Sequence, residues 1–176
     1  LKSYKISKIK IPDLNKFGIF SFSETSVEII DGIGDYSDLM ENIFDLDRIS
    51  DFLKKDFSLI FDAMNAVTGP YAKNIFVEKM GLGDDCVMNG VPLEDFGGLH
   101  PDPNLTYASK LADLLLVQKA YSFGAACDGD GDRNMILGRG CFVNPSDSLA
   151  VITANTNCVP GSVSYTHLRA HETVMN

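Results

Sequence analysis

The 176-residue chain has no apolar run approaching the ~18 residues needed to span a bilayer as a helix, so no membrane-spanning helix is expected. Positive charge is scarce: 15 Lys and Arg stand against 24 Asp and Glu, a formal net charge of −9. That balance argues against nucleic acid, whose binders carry basic stripes, and against anionic membrane surfaces. A phosphorylated ligand would need a local cation or a metal. The four cysteines (Cys86, Cys127, Cys141, Cys158) contain no C-x-x-C pair, which disfavours a structural zinc site or a dense disulfide framework. They read as buried or inert thiols in a reducing compartment, and the expected location is cytoplasmic. No signal peptide precedes the first strand-like segment. Asn104-Leu105-Thr106 fits the glycosylation pattern, but without secretory features it reads as ordinary loop sequence. Repeats and low-complexity tracts are absent too.

What is present alternates between short β-branched runs and helical periodicity, the pattern of an α/β protein. Strands are expected at Val27–Asp31, Ser58–Asp62, Cys86–Met88, Phe123–Cys127, Asn134–Leu137 and Cys141–Val143. The stretch 35–55 predicts two helical pieces broken near Asp45–Asp47. Thr68-Gly69-Pro70 signals a helix start with proline at N1, and Gly81 stands where that helix should end. Asn104 is the expected cap of a helix whose apolar face carries Tyr107, Leu111, Leu114 and Leu115. Asn144-Pro145-Ser146-Asp147 reads as cap, N1 proline and acidic first turn of a last helix. The expected architecture is α/β: a mostly parallel mixed sheet of about four strands with helices on both faces.

The chemistry concentrates at 127–133, CDGDGDR. Like charges repel, so three aspartates alternating with glycines need a cation, a solvated turn or a catalytic role. Glycines 129 and 131 let the backbone fold tightly and bring alternate carboxylates to one point. Three hard oxygen donors after a strand suit Mg²⁺ or Mn²⁺, and Arg133 can grip a phosphate bidentately. An EF-hand would need glycine and glutamate where Arg133 and Arg139 stand. A haloacid-dehalogenase phosphatase also carries D-x-D after a strand, with Asp128 as nucleophile and Asp130 as acid/base, but usually Thr or Val at position 132, and its other motifs need more downstream chain. A plain polar β-turn is the remaining alternative, since Asp-Gly is a favoured hairpin dipeptide.

At these residues the sequence resembles the metal-binding loop of the α-D-phosphohexomutases. FDAMNAVTGPYA, VPLEDFGGLHPDPNLTYA, FGAACDGDGDRNMILG and FVNPSDSLAVI sharpen the resemblance to the second, metal-binding domain of the phosphoglucomutases, over residues 27–160. The resemblance implies Asp128, Asp130 and Asp132 as Mg²⁺ ligands and Arg133 as a phosphoserine contact. It implies an enzyme that interconverts glucose 1-phosphate and glucose 6-phosphate through a phosphoserine and glucose 1,6-bisphosphate. The family's serine loop (T-A-S-H-N-P-G-G), sugar-recognising loop and phosphate-binding loop are not found here. The chain is therefore expected to be one module of a four-domain enzyme, inactive alone, with the remaining domains of the same polypeptide as partners. Residues 1–26 are expected to end a preceding domain or linker, and 161–176, which departs from the family, to be a non-native tail. A non-catalytic relative of the parafusin or aciculin kind is the rival reading.

Four further features read as structural. His100 reads as a hydrogen-bonding or interdomain residue, and Thr68-Gly69-Pro70 as an ordinary turn more than an anion site. Glu94 and Asp95 read as solvated, and Ser146 and Asp147 as helix-start residues.

Overall fold

The computed structural model describes residues 3, 12–22 and 24–156, with only the backbone of Phe22. The expectations for Cys158 and for the 161–176 tail lie outside them. A two-stranded antiparallel hairpin, β1 (Gly18–Phe22) and β2 (Thr25–Ile29), comes first. The strand expected at Val27–Asp31 is thus shifted to 25–29 and pairs with β1 rather than joining the main sheet. The boundary expected at 26/27 falls inside β2.

Two helices follow, α1 (Gly32–Ile43) and α2 (Leu46–Leu53). Asp45 makes the expected break: its side chain accepts from the Arg48 N–H and starts α2 afresh. The main sheet then builds from β3 (Leu59–Asp62), β4 (Val87–Met88), β5 (Phe123–Cys127), β6 (Asn134–Gly138) and β7 (Cys141–Val143), in the order β4-β3-β5-β6-β7. The α/β class with a mixed sheet stands, but there are five strands instead of about four, and half of the pairings rather than most are parallel. Pairings β3–β4 and β3–β5 are parallel; β5–β6 and β6–β7 are antiparallel. The reason is loop length. A parallel crossover needs about a dozen residues or more, and 128–133 and 139–140 are too short to do anything but reverse the chain.

Alternation along the strands sends side chains to two faces. On one, Ile60, Ala126, Met135 and Leu137 pack against Leu111 and Leu115 of a helix that starts as α4 (Ser109–Ala112) and continues through Asp113–Val117 with wider turns, Gln118 N–H reaching back to Asp113 O. This helix lies close on β5: a Cβ on Gly124 would come 2.8 Å from Leu115 Cδ2. Tyr107, expected on its apolar face, is 46% exposed, because the turn before α4 lifts it off the sheet. On the other face, Leu59, Phe61 and Val87 meet Ala72, Phe76 and Val77. Those helical residues belong to α3 (Thr68–Ala72) and its wide-turned continuation Lys73–Lys79. The helix begins at Thr68, so Pro70 is its third residue rather than N1, still within the turn whose N–H groups lack helical partners. Gly81, at φ +64°, ends it as expected. Helix α5 (Pro145–Ala154) closes the described chain, with Asn144 capping the Ser146 N–H.

The loops at the carboxyl ends of β3 and β4 are knitted together. Asp62 is 3% exposed and accepts from the Met64 N–H (2.9 Å) and from Asn89 Nδ2 (2.8 Å). It thereby holds Met64 and Asn65 at φ +52° and +54°, a left-handed pair that costs backbone energy outside glycine. Burial pushes the Asp62 carboxyl above its ordinary value, against the opposing pull of these hydrogen bonds and of Lys110.

Candidate metal centre

The aspartate loop joins β5 to β6 at the carboxyl end of β5, where open α/β sheets place ligands. Its two ends grip each other. The Asp128 N–H donates to Arg133 O (3.2 Å), the Arg133 N–H to Asp128 Oδ1 (3.0 Å), and Arg133 Nε to Asp128 Oδ2 (2.8 Å). Asp128 is 1% exposed, whereas Asp130 and Asp132 are exposed. Gly131 makes the reversal at φ +81°. One ligand oxygen from each of Asp128, Asp130 and Asp132 lies within 4.8 Å of the others, so the loop brings together the three carboxylates singled out in the sequence.

The three carboxylates differ electrostatically. Burial pushes Asp128 up, but the Arg133 backbone N–H and guanidinium outweigh it and hold the carboxyl below the ordinary range. Asp132 is raised, first by the charge of Asp130 and next by its hydrogen bond with Asp128. Like charge facing like charge is what a divalent cation relieves, and the donor set, three hard carboxylate oxygens, fits Mg²⁺.

Arg133 has a second partner that the sequence reading missed. Its Nη1 donates to Asp102 Oδ1 at 3.0 Å, from a residue 31 positions away in the loop before α4. Asp62 was missed too. A strand-terminal aspartate looks solvated in sequence, and only Asn89, 27 residues on, makes it a buried anchor. His100, expected as a hydrogen-bonding or interdomain residue, stacks on Tyr107, ring centroids 4.3 Å apart and 13° between planes. Asp95 accepts from the Gly97 N–H in its own turn. Of the thiols, Cys86 and Cys127 are pushed up to about 11, by burial first and then by neighbouring carboxylates. Cys141 is exposed, contrary to expectation, because it sits on the edge strand β7. A cavity of about 450 Å³ adjoins Asp130 and Gly131, walled mainly by Tyr36, Phe61, Tyr71 and Phe76.

Residues 34–140 match the family model described as phosphoglucomutase/phosphomannomutase, alpha/beta/alpha domain II. The chain belongs to this family. It is 54% identical over 159 residues to phosphoglucomutase 1, chloroplastic, of Marchantia polymorpha, covering 89% of this chain and 24% of that protein. To the phosphoglucomutase of Rhizobium radiobacter it is 48% identical over 161 residues, covering 92% and 30%. The crystal structure of the exocytosis-sensitive phosphoprotein pp63/parafusin (phosphoglucomutase) from Paramecium, open form, superimposes with a TM-score of 0.77 at 48% identity, over 84% of this chain and 28% of that one. The chain thus spans 24–30% of the length of these relatives. The matched region contains the whole aspartate loop. Among the described residues no helix is long and apolar enough to cross a membrane.

Proposed function

We propose that this chain supplies the Mg²⁺-binding module of a phosphoglucomutase, with Asp128, Asp130 and Asp132 as the metal's protein ligands and Arg133 as the contact to a phosphoserine. The convergence of three carboxylate oxygens within 4.8 Å, on a loop locked at its base by Arg133, carries the reading. Asp128 anchors the loop. Asp130 and Asp132 offer exposed oxygens toward the reacting side. The Arg133 guanidinium, 64% exposed, keeps donors for phosphate oxygens. When bound, the cation neutralises charge on the transferring phosphoryl group, which in this chemistry matters more than covalent work by the protein. The substrates of the parent are glucose 1-phosphate and glucose 6-phosphate, with glucose 1,6-bisphosphate between them. The serine and the sugar-binding loops come from other domains of the same polypeptide. The cytoplasmic setting is a proposal on the same footing, since the Marchantia relative is named for the chloroplast.

The rival reading, a non-catalytic relative acting in exocytosis, draws on the Paramecium protein, but that protein is described both as parafusin and as a phosphoglucomutase. The intact loop favours the enzyme, since a scaffold has no use for three mutually repelling carboxylates. The test is Asp130→Ala in a full-length protein carrying this segment, assayed for glucose 6-phosphate formation with glucose 1,6-bisphosphate and MgCl₂. A fall of about 10²–10³ in kcat is expected, the scale of removing a transition-state charge contact. Near-normal kcat would remove Asp130 from the metal site.

A further inference from the structure

We propose that Asp102 is a positioning residue that fixes the plane of the Arg133 guanidinium. The purpose, presenting the fork to a phosphate, rests on the proposed function; the fixing itself rests on geometry. An exposed ion pair ordinarily contributes little, because ordering two long side chains offsets the attraction. Here the carboxylate is ordered beforehand. Asp102 Oδ2 accepts from Asn104 Nδ2 at 2.6 Å. Asn104 Oδ1 in turn accepts the N–H groups of Thr106 and Tyr107, both at 2.9 Å, capping the turn that leads into α4. The backbone adds Asp102 N–H to His100 O and Asn104 N–H to Asp102 O, both 2.9 Å. The loop reaches this place through Phe96, Gly97 and Gly98, all left-handed at φ +55°, +66° and +73°. It lies along the metal loop, where a Cβ on Gly129 would stand 3.5 Å from Pro101 and 3.6 Å from Phe96.

A continuous chain of hydrogen bonds therefore runs from the turn before α4 to the aspartate loop: Asn104, Asp102, Arg133, Asp128. Asp128 holds Nε and Asp102 holds Nη1, two nitrogens of one planar group on two independent anchors. With Nε alone held, the plane could still tilt about Cδ–Nε and the two Nη groups exchange by rotation about Nε–Cζ; the second anchor resists both. The group so fixed borders a cavity of about 370 Å³ that Asn134 and Ser148 also line.

Arginine side-chain ¹⁵N–¹H NMR of the 176-residue chain reads this rotation directly, because the two Nη groups give separate signals only while it is slow. Wild type should show them separate for Arg133. In Asp102→Asn the rotation should quicken about tenfold, the scale of replacing a charge-assisted hydrogen bond by a neutral one. Asp102→Glu, which keeps the charge but displaces it, should fall between. Backbone amide spectra identify folded variants, and a rotation rate equal to wild type in either folded variant overturns the proposal. MgCl₂ added to the same wild-type sample keeps the two readings apart: unmoved amides at 128–132 would sink the metal reading while the rotation rates still decide the role of Asp102.

Discussion

Asp128 and Arg133, the first and last residues of the aspartate loop, are joined by three hydrogen bonds, two of them onto the buried carboxylate of Asp128. Each carboxylate oxygen has two acceptor sites, so one bond to each oxygen leaves Asp128 able to accept a cation as well. The loop is thus rigid at its base and electrostatically unbalanced at its tip, where Asp130 raises Asp132. Rigidity places the carboxylates; the imbalance is what a cation would relieve.

That balance sets the expected metal affinity. Three aspartates and one arginine leave the loop net negative, but Mg²⁺ demands six well-placed oxygens and gives up water reluctantly. In the proposed parent a phosphoserine would supply one of the six, and no other protein oxygen in this chain is assigned to it. Binding to the chain should be weak, with Kd on the order of millimolar, about −4 kcal/mol. Asp130→Ala should abolish it without a measurable change in Tm, because Asp130 is exposed. Titration of amide shifts at 128–133 with MgCl₂ checks both. Micromolar affinity would mean that the protein alone completes the shell.

The chain alone should show no mutase activity. Arg133 and a cation can steady a phosphoryl group but cannot donate one, and the chain contains no serine loop of the family's type. A coupled assay with glucose 1-phosphate, glucose 1,6-bisphosphate and MgCl₂ should stay at background. Turnover that persists through repurification would place the phosphoryl donor among the residues described here.

How far the sequence could be read depends on the reach of each interaction. The convergence of the three carboxylates was legible because they and Arg133 lie within six consecutive positions. The break at Asp45 and the cap at Asn144 were legible for the same reason, since each bonds an N–H two or three residues ahead; Asn104 caps only a turn, and the helix expected to start behind it begins at Ser109. The antiparallel half of the sheet could have been inferred from the shortness of 128–133. What stayed hidden depends on distant partners. Asp102 is ordinary loop sequence until Arg133 meets it, Asp62 is a surface charge until Asn89 covers it, and β2 reads as a sheet strand until β1 pairs with it.

Asp62 gives a pH-dependent prediction. Its carboxyl is raised by burial, so the folded chain binds a proton there more readily than the unfolded chain does. Ionisation of Asp62 therefore weakens the fold above its folded-state pKa, and that penalty disappears as pH falls through it. Asp62→Asn removes the charge and keeps an oxygen for the Met64 N–H and Asn89 Nδ2. The variant should be at its best relative to wild type near pH 7, and the difference should shrink as pH is lowered through the folded-state pKa of Asp62. Urea denaturation across that range measures it; a gap that widens on acidification would show that the carboxylate's hydrogen bonds, not its desolvation, dominate.

The close approach of Gly69 to Gly90 yields the sharpest stability prediction. A Cβ on Gly69 would lie 2.3 Å from Gly90 O and 2.6 Å from its carbonyl carbon, and backbone cannot swing aside as a side chain can. The two segments are also tied on either side. Asn65 N–H donates to Asn89 O (2.9 Å), Asn65 Nδ2 to Val91 O (3.0 Å), and Leu93 N–H to Asn65 O (3.0 Å). Gly69→Ala must stretch these bonds or shift the start of α3, at a cost of about 1–3 kcal/mol, the range of overpacked cores. Gly32→Ala is the control. It sits in the first turn of α1, where a Cβ meets only Tyr71 Oη at an ordinary 3.5 Å, so it should be neutral or stabilising by up to about 1 kcal/mol. The displacement at Gly69 should also reach the aspartate loop, because Thr68 Cγ2 lies only 2.8 Å from where a Gly131 Cβ would be. Amides 129–131 should therefore shift in Gly69→Ala and stay in place in Gly32→Ala. Equal stability of the two variants in urea would show that the β3 and β4 loops are not locked together as described.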